Sequence, residues 1–147
     1  MKSVTSPMPL PSRADIFLAG GISNCPDWQA EVEEILKETS GVLINPRRTT
    51  VFVEEDAAEQ IEWEYEALRK VDTVLFWFPM ETLCPITLLE LGVFTQRTDV
   101  QLIVGTHPEY ARRFDVIKQL QLARPEVEVT DNIDDLVAAY LKTSIAD

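Results

Sequence analysis

The chain lacks the residue sets that several broad functions demand. One histidine, His107, and two distant cysteines, Cys25 and Cys84, give no metal-ligand spacing in 147 residues, so neither a metal nor another cofactor is expected. Basic residues are scarce, 13 against 25 acidic ones, and the formal charge of −12 argues against the basic face that nucleic acid requires. No apolar run approaches a membrane span, and the first residues lack a signal-peptide core. The expectation is a cytoplasmic protein with neither nucleic acid nor membrane as a partner. Glycine is also sparse, at five residues, and the spaced-glycine fingerprint of dinucleotide sites is absent.

What is present suits one globular domain: 46% hydrophobic and 26% charged residues, in a length that buries a real core. Residues 1–13, with Pro7, Pro9 and Pro11, read as a flexible N-terminal arm, and residues 14–147 as a single domain. Four apolar runs read as buried parallel strands: Ile16–Ala19, Val42–Ile44, Thr73–Phe78 and Leu102–Val104. Val127–Val129 is a weaker fifth. Helical periodicity fills the gaps over 27–38, 57–70, 85–96, 115–122 and 133–141, with Asp27 placed to cap the first and Pro85 to open the third. Such alternation gives an α/β fold, a doubly wound five-stranded parallel sheet in a flavodoxin-like three-layer sandwich. Ligands of these sheets bind beyond the carboxyl ends of the strands. Four loops rich in chemistry fall there: Gly20–Ser23, Asn45–Arg48, Pro79–Glu90 and Gly105–Asp115.

Within them, Glu90 stands out because its helical neighbours at three and four residues are Ile86, Thr87, Val93 and Phe94. A carboxylate there is either desolvated for a purpose or a rim residue that reaches water, and spacing alone leaves both open. Glu64 repeats the pattern, ringed by Gln60, Ile61, Ala67 and Leu68. Two half-buried carboxylates at one cleft suit glycosidic chemistry, one attacking the sugar and the other protonating the departing group. Gly20-Gly21 lets backbone approach a ligand closely. Arg47 and Arg48 form either a patch for a small anion or ordinary surface charge. Trp63, Trp77 and Phe78 either stack a flat base or pack the core. Asp72 opens the third strand, where a polar residue commonly marks only the junction from helix to strand.

Ile16–Ile22, the Glu64–Asp72 spacing and Leu89-Glu90-Leu91-Gly92 resemble the nucleoside 2-deoxyribosyltransferase family, and its short branch most of all. The likeness extends to Asn24–Gln29, Asn45–Arg48, Gln60–Glu64, Phe76–Pro79 and His107–Tyr110, in order, over roughly residues 14 to 120. The resemblance implies Glu90 as nucleophile and Glu64 as the acid assisting the leaving base. It also implies a small nucleoside or nucleotide as substrate and a homo-oligomer with shared sites, in which Asp115 reaches a neighbouring subunit's sugar. Gly20, Gly21, Trp63, Asp72 and position 84 fall among its substrate contacts, and Ser23, Arg47 and Arg48 are the candidates for a phosphate. Two positions depart from the family pattern: Phe17 replaces a tyrosine that orients the nucleophile, and Cys84 an aspartate that binds a sugar hydroxyl. The expected activity is cleavage or transfer of the N-glycosidic bond of 2'-deoxynucleosides or their monophosphates. The alternatives are a deoxynucleotide hydrolase and a non-catalytic nucleotide-binding or sensor module.

Overall fold

Side chains alternate across a strand, so an unbroken apolar run can serve two buried faces at once. In the computed structural model, which describes residues 1–49 and 53–144, the strand β4 (Val71–Phe78) does this. Val74, Phe76 and Phe78 pack on one side of the sheet, and Leu75 and Trp77 on the other. Its neighbour β2 (Ala14–Gly20) alternates likewise, with Phe17 and Ala19 on the first side and Ile16 and Leu18 on the second. Both strands pair in parallel from Ala14 opposite Val71 to Gly20 opposite Trp77. A slip of one residue would exchange the two cores, which is what fixes the register.

Helices cover both faces. On the second side lie α1 (Trp28–Leu36), through Trp28, Val32 and Leu36, and α5 (Ile133–Ser144), through Leu136, Val137 and Tyr140. On the first lie α2 (Ala57–Ala67), α3 (Pro85–Phe94) and α4 (Arg113–Ala123), through Ala67, Leu91, Phe94, Val116 and Leu120. The Asp27 carboxylate accepts the Ala30 N–H at 3.1 Å and caps α1, a contact worth about 1 kcal/mol. Pro85 occupies the first turn of α3, as expected.

The described residues hold six strands rather than five, all parallel, in the order β1-β3-β2-β4-β5-β6. The extra strand, β1 (Lys2–Thr5), lies in the segment expected to be a loose arm, and it pairs with β3 (Val42–Asn45) at the sheet edge. Only Val4 of its side chains is buried, at 6% exposure, so so short and polar a strand leaves little periodic trace. At the other edge, β6 (Val129–Thr130) follows β5 (Gln101–Thr106) and is two residues long. The chain runs from β2 outward to β3, then returns to place β4 on the opposite side of β2. The crevice beyond the carboxyl ends of β2 and β4 is therefore the switch point of the sheet. No helix of the described residues is long and apolar enough to cross a membrane.

Candidate active site

At this switch point β2 ends in Gly20-Gly21. A Cβ on Gly20 would stand 2.4 Å from the Trp77 carbonyl oxygen and 2.5 Å from the Trp28 ring, so only glycine lets β2, β4 and α1 converge here. The Trp28 indole N–H and the Gln29 amide both donate to the Gly21 carbonyl, at 2.9 and 3.2 Å, and hold the turn from beneath. Opposite, Cys84 adopts φ 50°, ψ 56°, a left-handed conformation that costs a side chain about 1 kcal/mol. Its carbonyl accepts the Leu88 N–H, and the Tyr110 hydroxyl from the loop after β5 donates to the Leu83 carbonyl at 2.8 Å. The first turn of α3 is thereby aimed across the cleft.

The cleft has a volume of about 630 Å³. Phe17, Ala19, Gly20 and Gly21 form its floor, Gln60, Ile61 and Glu64 of α2 one wall, and Cys84 to Glu90 the other, with Ser23, Pro46 and Arg48 at the ends. Glu64 and Glu90 thus come from different helices to one cavity. Along α3, Thr87 and Phe94 face the core while Ile86, Leu89 and Val93 are exposed, so Glu90 sits on the boundary, half-buried. It stands at a rim, and that rim lines the cleft.

The two carboxyls have unequal surroundings. Burial raises the pKa of Glu64, but a hydrogen bond from the Gln60 amide at 2.6 Å and the Arg48 charge oppose the rise. Glu90 has no donor among the described residues; burial first and the Glu64 charge second push it up to about 8. Burial and the neighbouring carboxylate thus favour the protonated form of Glu90, while Glu64 has a donor and a cation that favour its charged form.

Of the residues selected from the sequence, Gly20, Gly21, Ser23, Arg48, Glu64, Cys84 and Glu90 line the cleft, and four do not. Arg47 turns away to Gln29, the Pro26 carbonyl and Asp27. The Trp63 indole donates to the Met8 carbonyl, at the flank of the core. Asp72 pairs with Arg13 at 2.7 Å at the amino end of β4, the opposite edge of the sheet. Asp115 lies exposed on α4, paired with Arg112. Trp77 and Phe78 belong to the two cores and offer no stacking face. Of the four converging loops, the one after β5 braces the site through Tyr110 without lining it. Arg48 lines the cleft but is not free for a phosphate. Its side chain is only 7% exposed and is held by Gln60 at 2.6 Å, Glu59 at 3.1 Å and Asp56 at 3.7 Å.

Gln60, which was not selected from the sequence, lines the cleft and donates to Glu64; its signal was the four-residue step to Glu64 on one helix face. Among the described residues no group of histidine, cysteine or acidic side chains is arranged to hold a metal ion.

Comparison with known proteins agrees with this geometry. No curated protein matches the chain significantly. A family model described as nucleoside 2-deoxyribosyltransferase like matches residues 13–110, about two-thirds of the chain, from the residue before β2 to Tyr110 in the loop after β5. The match includes both cleft carboxylates, and the chain belongs to the nucleoside 2-deoxyribosyltransferase-like family.

Proposed function

We propose that the protein cleaves the N-glycosidic bond of 2'-deoxynucleosides or their monophosphates and passes the sugar to a second base or to water. In this reading Glu90 passes its proton to Glu64 as the substrate binds, and the Glu90 carboxylate then attacks the anomeric carbon. The C–N bond breaks as the C–O bond to Glu90 forms, and Glu64 delivers a proton to the departing base. A base or water activated by Glu64 then displaces Glu90 and regenerates the carboxylate. The observation that supports it most is the pair of half-buried carboxylates, one from α2 and one from α3, facing a single cleft and coupled by charge. The apolar floor at Phe17 and Ala19 excludes water beneath the sugar and strengthens electrostatics at the reacting carbon.

The nucleoside is favoured over its monophosphate, because the one cationic side chain lining the cleft, Arg48, is already held by Glu59, Asp56 and Gln60. A phosphate would fall to Ser23 and to backbone N–H groups at the start of α3. We also propose a homo-oligomer. Ile61, Ile86 and Leu89 stand 67%, 62% and 65% exposed at the mouth of the cleft, an apolar rim suited to cover by a second copy. Two free thiols fit a cytoplasmic setting. The test is to incubate the protein with deoxynucleosides and their monophosphates, with and without a second base, and to identify products by mass spectrometry. New nucleosides mean transfer, and free base with sugar means hydrolysis. Binding without any product would leave a non-catalytic nucleotide module.

A further inference from the structure

Gln60 has every hydrogen-bonding position of its amide in use, in the half-buried wall between α2 and the loop after β3. The two N–H groups donate to a Glu64 carboxylate oxygen at 2.6 Å and to the Pro46 carbonyl at 2.9 Å. The carbonyl oxygen accepts from the Ser6 hydroxyl and from the Arg48 guanidinium, both at 2.6 Å. Reversing the amide would set N–H against Arg48 and carbonyl against carboxylate, so the surroundings dictate its orientation. Its holders are themselves fixed: Ser6 is 2% exposed at the end of β1, and Arg48 is clamped between Glu59 and Asp56.

We propose that Gln60 is a positioning residue of the site, which pins one oxygen of Glu64 and stabilises its charged form. This rests on the proposed roles of the two acids. A donor aimed at a carboxylate stabilises its charged form, and a donor that cannot rotate away does so at no cost of reorganisation. Glu90 has no such donor among the described residues. The pinned oxygen is Oε1, which leaves Oε2 of Glu64 to exchange a proton with the leaving base. The charged groups bearing on the pair are Arg48 behind Gln60, Asp56 and Glu59 behind Arg48, and each carboxyl on the other. The arrangement gives β1 a place in the site: Ser6 reaches α2 across 54 residues of sequence to secure the amide.

The test follows the carbon-13 signals of the Glu64 and Glu90 carboxyls by NMR across pH 3 to 10, which needs no turnover. In Gln60→Leu, Glu64 moves up by about one pH unit from its wild-type position, and Glu90 moves down because its neighbour is less charged. Ser6→Ala keeps the donor but loosens it, and gives a smaller shift in the same direction. A merely structural Gln60 would alter stability and leave the positions of the two titrations unmoved. Glu64 unmoved in Gln60→Leu overturns the proposal. Should that variant not fold, Glu64 unmoved in Ser6→Ala overturns it. An inactive wild type with the expected titrations would sink the activity and spare this inference.

Discussion

Glu90→Gln should make the protein more stable in alkali while removing the proposed nucleophile. In the folded chain, burial and the charge of Glu64 raise this carboxyl to about 8, from an ordinary 4.5 in the unfolded chain. The folded state therefore holds the proton more tightly. Its contribution is fully present below pH 4.5 and is lost as the pH climbs through 8. Linkage puts the loss at roughly 3 kcal/mol at pH 7 and roughly 5 kcal/mol at pH 9. Glutamine keeps the shape and cannot ionise, so it escapes that loss. Urea denaturation of both proteins at pH 5, 7 and 9 measures the difference, in which the other titrating groups largely cancel. The advantage of the variant over wild type should grow by about 4 kcal/mol from pH 5 to pH 9. A difference that stays flat across that range would refute the desolvated, charge-opposed setting of Glu90.

Other perturbations separate the parts of the site. Gly20→Ala drives a methyl against the Trp77 carbonyl and the Trp28 ring, and should cost about 3 kcal/mol in urea denaturation. Glu64→Gln should lower kcat by about 10²–10⁴-fold for substrates with a poorly leaving base, and less for an activated base that departs unaided. Asp72→Asn, at the far edge of the sheet, should leave kcat and KM unchanged; a raised KM would return Asp72 to the binding site. Leu89→Glu places a charge in the exposed rim at the mouth of the cleft, and light scattering should then find monomer for the variant and an oligomer for the wild type.

The sheet was legible where burial is two-sided. Thr73–Phe78 reads as strand because both of its faces are covered, and Gly20-Gly21 marks its neighbour's end. β1 was not legible, since its pairing with β3 lies in backbone hydrogen bonds that four mostly polar side chains do not advertise. Among the helices, α2 misleads in part: of the apolar face Ile61, Tyr65 and Leu68 only Leu68 is buried, with Ala67 beside it, while Ile61 and Tyr65 are 67% and 58% exposed. Glu64 and Glu90 were found through apolar neighbours, which is a local property. The clamping of Arg48 was not legible, because its partners Asp56, Glu59 and Gln60 follow 8 to 12 residues later and only the fold brings them to it. Asp72 stands at the junction from helix to strand, as a polar residue there commonly does, and family-like spacing from Glu64 says nothing about which end of β4 meets the cleft.

Trapping the sugar on the protein tests the central claim most directly. The protein is incubated with a deoxynucleoside, quenched in acid before the second displacement, digested, and mapped by mass spectrometry. The proposed mechanism places a deoxyribosyl adduct on the peptide that carries Glu90, and none in Glu90→Ala, which should fold but lose turnover. An adduct on Glu64, or unchanged turnover in Glu90→Ala, would contradict it.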